Sequence, residues 1–239
     1  MRKPDIRVGC CGFPVARATY FALFPVVEIQ QTFYQPPTRE TAERWREEAP
    51  PEFEFVIKAW QLITHEPTSP TYRRLRMPLG EAEKRQAGGF RWTGLVRQAW
   101  ETICEVALVL QAQKVLFQCP ASFAPTAENR ERMRHFFRSI DRRGLTCIWE
   151  PRGNWQSPAI DELCYELDLV HCVDPFQSEP VTTGVRYYRL HGISGYRHEY
   201  SDEELKRLVG WCAPEAVNYV LFNNVNMFRD ATRFQGMVQ

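Results

Sequence analysis

Several hydrophobic runs of this chain end on a polar side chain that shares its parity with the run's interior positions. Strand side chains alternate between two faces, so Glu150 shares a face with Ile148 in its run. Buried parallel strands that turn polar at their ends are typical of the active-site end of a closed β/α barrel. Seven runs follow this pattern, and they end on Glu28, Lys58, Gln118, Glu150, Asp174, Arg189 and Asn223.

The order of strand and helix signals predicts a (β/α)8 TIM-type barrel, an α/β fold of parallel strands, formed by one domain over residues 1–239. The predicted strands cover 6–12, 26–31, 53–59, 114–119, 146–150, 169–174, 185–191 and 217–223. Too few residues separate strands six and seven for a full crossover helix. A doubly wound open sheet is the alternative, but it requires a G-x-G-x-x-G turn, which the segment Gly9–Gly12 lacks.

One long segment, at about residues 61–92, shows no helix or strand period. Irregular stretches of this length within a domain are typically functional loops or disordered ones. We predict a basic loop that could contact phosphate groups, with a merely solvated loop as the alternative. Its basic residues are Arg73, Arg74, Arg76, Lys84, Arg85 and Arg91.

The composition restricts the possible partners and the cellular compartment. The net charge is +1 over 239 residues, so no whole-molecule basic field for nucleic acid or anionic membrane exists. Neither a secretory leader nor an apolar run long enough to span a bilayer is visible, and we expect a cytoplasmic protein. The eight cysteines then favour buried free thiols over disulfides. Cys10, Cys11 and Cys119 lie near strand ends and are the candidates for a functional thiol.

The polar strand ends carry charges that nearly cancel, and this has two interpretations. Mutually paired charges could simply close the barrel end. We favour a ligand site, in which Glu150 or Asp174 is the general base and His191 the general acid. Arg152, Arg189 and Lys58 would then bind an anionic group. The other predicted substrate-binding residues are Glu28, Gln118, Asn223, Asn224 and Tyr196.

Two further kinds of chemistry are considered for this end of the barrel. A Schiff base at Lys58 is not favoured, because nearby carboxylates should keep the amine protonated. A single Mg or Mn ion on Glu28, Glu150 and Asp174 is conceivable but also not favoured, so no metal ligand is assigned and the cofactor stays open. Only His65, His191 and His198 lie near the predicted mouth, too few for a multinuclear zinc cluster.

Aromatic residues accompany the predicted mouth. They either belong to the core or stack on bases and sugar rings. The six are Phe13, Tyr34, Trp60, Trp155, Tyr196 and Tyr200.

A set of short motifs, taken in order, resembles one known family. The motifs include Val27–Gln30, Gln118–Pro120, Glu150–Arg152, Tyr188–Gly192 and Phe222–Asn224. In this order they resemble the YecE-like family, or domain of unknown function 72 (DUF72), over essentially the whole chain. The resemblance implies a TIM-type barrel and no settled biochemical role. Gln30 stands where the family usually has Asn.

These observations predict an enzyme of the hydrolase or lyase type. Its substrate would contain a phosphate or a sugar and would bind at the C-terminal mouth of the barrel, with nucleic acid the first class to test. The alternative is a non-catalytic module that binds nucleic acid or another ligand. The oligomeric state is not predicted.

Overall fold

Eight parallel strands close into one barrel in chain order in the computed structural model, which describes residues 3–239. The predicted (β/α)8 barrel is therefore confirmed. Strand β2 was predicted to reach Gln31 but ends at Ile29, because Gln31 begins a short helix. The strands are β1 Asp5–Cys11, β2 Val26–Ile29, β3 Glu54–Lys58, β4 Lys114–Gln118, β5 Thr146–Glu150, β6 Val170–Val173, β7 Arg186–Leu190 and β8 Val217–Phe222.

Helices cover the outer face of the barrel. They are α1 Arg17–Leu23, α2 Gln31–Tyr34, α3 Arg39–Glu48, α4 Gln61–Thr64, α5 Glu81–Lys84, α6 Gly94–Leu110, α7 Ala127–Ser139, α8 Ser157–Leu167, α9 Asp202–Trp211 and α10 Met227–Val238. Within residues 3–239, none of them combines the length and apolar character needed to cross a bilayer.

Four of the ten helices begin after a hydroxyl residue that caps them, namely Thr38, Thr93, Thr126 and Ser201. A capping box starts α9, since Ser201 accepts from the Glu204 amide and Glu204 accepts from the Ser201 amide. Ser157 does not cap α8. It is the first helical residue, and Gln156 occupies the cap position without a side-chain bond.

The side-chain parity predicted from the sequence holds around the barrel. The interior is filled by one cluster that consists of Cys11, Val26, Val56, Leu116, Ile148, Cys172, Tyr187, Tyr219 and Leu221. Two residues after a cluster member, on or just past seven of these strands, stand Glu28, Lys58, Gln118, Glu150, Asp174, Arg189 and Asn223. The polar strand ends therefore lie above a packed apolar layer at the C-terminal mouth.

No helix joins β6 to β7 in the described chain, as predicted. The segment 174–185 instead returns to β6 through two hydrogen bonds. The Val181 amide donates to His171 Nδ1 at 3.2 Å, and the His171 amide donates to Thr182 Oγ1 at 3.1 Å. These bonds hold the loop against the outside of β6, where a crossover helix would otherwise pack.

The segment 61–92 is less irregular than predicted. It contains α4, a 3₁₀ turn at Pro70–Arg74 and α5, each too short for a period to be visible in the sequence. The end of the segment folds back on its start, since Gly88 and Phe90 donate backbone bonds to Leu62 and Ile63 in α4.

A separate polar network fills the N-terminal end of the barrel. Lys114 Nζ lies 3.1 Å from Glu54 Oε2, and the Tyr219 hydroxyl donates to the same oxygen at 2.6 Å. Arg7 approaches Glu54 at 3.9 Å. Lys114 and Tyr219 both bind Glu54, and Arg7 pairs mainly with Asp5, so this end is closed by structural contacts.

The close approach of β1 and β2 gives a test of the barrel packing. A Cβ at Gly9 would run into the backbone carbonyl of Val26, whereas one at Gly210 in α9 would meet nothing. We expect Gly9→Ala to lower the free energy of unfolding by about 1–3 kcal/mol through overpacking. Gly210→Ala should be neutral or stabilising by up to about 1 kcal/mol. Urea unfolding measures both; equal stability of the two variants would contradict this packing.

Candidate active site at the barrel mouth

A buried arginine links two glutamates across the mouth. Arg189, fully buried at the end of β7, donates from Nη1 to Glu150 Oε2 and from Nη2 to Glu28 Oε1, the latter at 3.0 Å. The Tyr187 hydroxyl donates to the other oxygen of Glu28 at 2.8 Å. Strands β2, β5 and β7 are thus joined through their inward side chains. Charges buried this deeply require such partners.

Glu150 also reaches towards the outer part of the site. Its Oε1 lies 2.7 Å from Arg152 Nη2 and 3.0 Å from His191 Nε2. Burial acts to raise the pKa of Glu150. The Arg189 charge, the His191 hydrogen bond and Arg152 outweigh burial and hold this pKa well below its usual range. Glu150 is therefore an ionised carboxylate at neutral pH.

The imidazole of His191 is held by four other residues. Its backbone amide donates to Asp174 Oδ2 at 3.0 Å, which fixes the end of β7. The ring contacts Glu150 Oε1 and Arg152 Nη2 through Nε2, at 3.0 and 2.7 Å, and the Asn223 amide through Nδ1, at 3.1 Å. The side chains of His191 and Arg152 keep 18% and 35% of their surface exposed, whereas Glu150 keeps 5%. His191 and Arg152 are therefore the members of this group that a ligand can reach.

Asp174 accepts one backbone hydrogen bond from its own loop and one from the residue that follows β7. Its Oδ1 accepts from the Phe176 amide at 3.1 Å, while Oδ2 accepts from the His191 amide. These bonds connect the ends of β6 and β7 through Asp174. This is a positioning role, whereas the sequence predicted a general base.

A cavity of about 350 Å³ opens beside this network, between the ends of β5, β6 and β7. Glu150, Arg152, Asp174 and His191 all line it, so the predicted catalytic residues share one space. His171, which was not predicted as a site residue, lines it as well. Its Nδ1 accepts from the Val181 amide, which leaves Nε2 as a donor. The lining also includes Trp155, Ser157, Gln177 and Ser178.

The amine of Lys58 loses its proton more readily than the sequence indicated. It is 5% exposed, and its Nζ has one weak hydrogen bond, to Gln30 Oε1 at 3.4 Å. Burial and the Arg189 charge lower the pKa of Lys58 to about 8, although Glu28 and Glu150 act in the opposite direction. Burial therefore makes the free amine more populated than in an ordinary lysine, although the protonated form that was expected still predominates at neutral pH.

Gln30 was not predicted as a site residue. Its amide donates to Glu28 Oε1, and its carbonyl oxygen faces Lys58 Nζ. It therefore connects Lys58 to the network around Arg189. The parity that identified Glu28 extends to Gln30 two positions later, and this signal could have found it.

The remaining predicted binding residues occupy different surroundings. Gln118 is half-buried at the end of β4, level with Glu150 in the strand register. Tyr196 is 58% exposed on the loop after β7. Asn224 corrects a prediction: it is fully buried, and its amide donates to Asp230 and to the His198 carbonyl, both at 2.7 Å. It has no surface for a substrate and instead ties two loops to α10.

The three candidate thiols are unsuited to nucleophilic chemistry. Burial raises the pKa of Cys10 and of Cys119 to about 12 and the pKa of Cys11 well above its usual value. A thiolate is the reactive form of cysteine, so these residues act as small core side chains.

The carboxylates considered for a divalent metal do not form a common site. Arg189 lies between Glu28 and Glu150, and Asp174 is bound to backbone amides. In the described part of the chain no group of three or more His, Cys, Asp or Glu side chains is arranged to hold a metal ion.

Most of the predicted aromatic residues have structural contacts. The Trp155 indole donates to the Phe123 carbonyl at 2.8 Å, and the Tyr200 hydroxyl accepts from the Gly192 amide at 2.9 Å. In the basic loop, Arg91 pairs with Glu66 and Lys84 with Glu81. Arg73, Arg76 and Arg85 are exposed and have no ion pair within residues 3–239.

The buried ion pairs of Arg189 at the mouth should contribute more to the free energy of unfolding than any ion pair on the surface. Removing one partner leaves an uncompensated buried charge, so we expect Arg189→Met to cost about 3–5 kcal/mol of unfolding free energy. The matched control is Arg39→Met, which removes the exposed Arg39–Glu43 pair and should cost less than about 1 kcal/mol. Similar losses in urea unfolding would contradict the proposed importance of the pair.

The low pKa of Glu150 predicts a pH dependence of stability. A depressed folded-state pKa stabilises the fold above the unfolded value, about 4.3, and this contribution is lost as the pH falls below it. Wild-type unfolding free energy should therefore decrease in acid. Glu150→Gln should lower stability at neutral pH and reduce the acid dependence, measured by urea unfolding at several pH values. If the unfolding free energy of Glu150→Gln decreased in acid as steeply as that of the wild type, Glu150 would not be the ionised group inferred here.

Comparisons with known proteins identify the family. Residues 16–239 match the family model described as protein of unknown function DUF72. No curated protein matches the chain.

Solved structures show the same fold. A DUF72 family protein of Enterococcus faecalis V583 is 21% identical, with 100% of this chain and 99% of that one covered and a TM-score of 0.73. One of Thermotoga maritima MSB8 is 20% identical, with 98% and 99% covered and a TM-score of 0.70. D-allulose 3-epimerase from Methylomonas sp., in complex with D-allulose, is 12% identical, with 99% and 95% covered and a TM-score of 0.57. With the family model covering nearly all of its residues, the chain belongs to the DUF72 family.

Proposed function

We propose that this protein is an acid–base enzyme of the hydrolase or lyase type that acts on a small sugar-containing substrate at the barrel mouth. The observation that carries the proposal is the setting of His191. The imidazole borders a cavity and is held through its backbone by Asp174 and through its ring by Glu150 and Asn223. A histidine that only fills space does not need three polar contacts beside an open cavity. General acid–base catalysis does need such positioning.

In this proposal His191 transfers the proton, and Glu150 orients the imidazole ring of His191. A carboxylate whose pKa lies well below its usual range is a weak base, so Glu150 is poorly suited to the predicted base role. An ionised carboxylate beside a histidine ring fixes its orientation and stabilises the imidazolium that forms after proton uptake. Asp174 would act indirectly, by holding the backbone of His191.

The cavity favours a small molecule over a polymer as the substrate. Its volume of about 350 Å³ lies at the lower end of the range for small-molecule sites. Its lining includes donors, His171 Nε2 and the Ser157 hydroxyl, and an acceptor, the Asp174 carboxylate. Sugar hydroxyls can pair with both kinds. Arg152, partly exposed at the rim, would bind a phosphate or carboxylate if the substrate carries one.

The structural similarity to a sugar-binding barrel is consistent with this substrate class. D-allulose 3-epimerase holds a monosaccharide in the same type of fold. At 12% identity this likeness concerns the fold, and the argument for a sugar rests on the cavity and its donors.

A nucleic-acid-binding module is the second candidate. It is supported by the exposed arginines Arg73, Arg76 and Arg85 on the loop that follows β3 on the mouth side, together with the exposed Tyr196. Basic groups beside an aromatic surface suit single-stranded nucleic acid.

Calorimetric titration separates the two candidates. The ligands are D-fructose, D-fructose 6-phosphate and a single-stranded oligonucleotide, each at low and high salt. We expect saturable binding of a sugar. Arg152→Gln should weaken the binding of D-fructose 6-phosphate more than the binding of D-fructose. Oligonucleotide binding that falls steeply with salt, without sugar binding, would favour the nucleic-acid module.

The reaction class is tested through His191. Release of nitrophenol from nitrophenyl glycosides reports hydrolysis, and uptake of deuterium from D₂O beside a sugar carbonyl reports lyase-type proton abstraction. We expect one of these activities, and His191→Asn should reduce it by about 100-fold or more while leaving sugar binding intact. His135→Asn, on the exposed face of α7, is the matched control and should keep full activity. Full activity of His191→Asn would contradict the proposal.

A further inference from the structure

Lys58 is a buried amine at the mouth that no part of the proposed proton transfer uses. It ends β3, with its side chain on the interior parity, and 5% of its surface remains exposed. Within residues 3–239 its Nζ forms no ion pair. Its contacts are the Gln30 carbonyl oxygen at 3.4 Å and the face of the Phe33 ring, 4.1 Å from the ring centroid. An ammonium group has three donors, so this environment leaves Lys58 poorly satisfied.

A second buried lysine of the same barrel shows what a structural lysine looks like here. Lys114, at the N-terminal end, has a carboxylate partner in Glu54 at 3.1 Å and lies over the Tyr219 ring at 4.6 Å. Both lysines contact an aromatic face and both are buried, but only Lys114 is neutralised. The missing carboxylate therefore distinguishes the lysine at the C-terminal mouth from the structural lysine at the N-terminal end.

Burial and the Arg189 charge favour the neutral form of Lys58, whereas the Glu28 and Glu150 carboxylates favour the charged form. Arg189 opposes the ammonium charge, while the carboxylates of Glu28 and Glu150 are already bound to Arg189. Burial is the largest influence and lowers the pKa of Lys58 to about 8. The titratable groups around Lys58 are Arg189, Glu28, Glu150, Cys11 and His65.

We propose that Lys58 is a nucleophilic amine that forms an imine with a small carbonyl compound, such as an open-chain aldose or ketose, at the barrel mouth. The unprotonated Nζ attacks the carbonyl carbon, and the carbonyl oxygen takes a proton to give a carbinolamine. The nitrogen lone pair then forms the C=N bond as the hydroxyl leaves as water. One carbonyl compound and one amine give one imine and one water, so no oxidant or reductant is required. Amines held unprotonated by burial and a neighbouring cation are the nucleophiles of such reactions.

The remaining parts of the site suit this chemistry. Gln30 holds the amine from one side and is itself bonded to Glu28, so Nζ has a defined position above the apolar layer of the barrel. The activity goes beyond the proposed role of His191, because imine formation requires only Lys58 and a carbonyl compound.

Reductive trapping tests the proposal directly. The full-length protein is incubated with D-glyceraldehyde and sodium cyanoborohydride near neutral pH, which converts any imine to a stable secondary amine. Peptide mass spectrometry then compares Lys58 with the exposed Lys84 and Lys206 and with the buried Lys114. The free-amine fraction of a lysine with a pKa near 8 exceeds that of an ordinary lysine by about 100-fold near neutral pH. We expect Lys58 to be labelled at least about tenfold faster than the others, with a rate that rises through a midpoint near its pKa.

Variants separate this activity from the rest of the site. Lys58→Arg keeps the positive charge but cannot form the imine, so the fast-labelled adduct should disappear. Lys114→Arg and His135→Asn should leave labelling of Lys58 unchanged. Labelling of the wild-type protein involves no His191-dependent step, so its failure is distinguishable from failure of the acid–base proposal. Labelling of Lys58 no faster than that of Lys84 in the wild-type protein would overturn the inference, and this readout does not depend on the folding of any variant.

Discussion

The contact of Arg189 with both Glu28 and Glu150 is the interaction on which the mouth of this barrel depends. Three charges from strands β2, β5 and β7 meet in a space from which solvent is excluded. Each one would be costly to bury alone, and together they satisfy one another. Because Arg189 holds one oxygen of Glu150, the other oxygen is directed towards His191. The orientation of the outer, ligand-accessible group is therefore set by a buried ion pair.

The two ends of the barrel use similar residues with different results. At the N-terminal end, Lys114, Glu54 and Tyr219 bind one another, and the network closes that end. At the mouth, by contrast, the two cations do not share the two glutamates equally. Arg189 takes both glutamates, and Lys58 is left with an amide and an aromatic ring. Such unequal pairing shifts protonation equilibria, and this is a common property of functional sites.

Much of the barrel and the location of its site could be predicted from the sequence. The period-two parity of strands such as the one ending at Glu150 predicted which side chains meet at the mouth, because burial forces that pattern. The hydrogen-bond and ion-pair partners of these side chains could not be predicted, because they depend on distances between residues on different strands. The pKa of Lys58 and the turn of Asn224 towards Asp230 both follow from such distances. His171 points to the outer side of its strand, and it borders the cavity only because the loop after β6 folds back over it.

The central claim is that Arg189 positions Glu150 and, through it, His191. Crystal structures of the wild-type protein and of Arg189→Lys test this claim most directly, because lysine carries the charge but cannot contact both glutamates in the same way. The account predicts that the variant separates Glu150 from Glu28 and turns or disorders the His191 ring. An unchanged Glu150–His191 contact in the variant would contradict it.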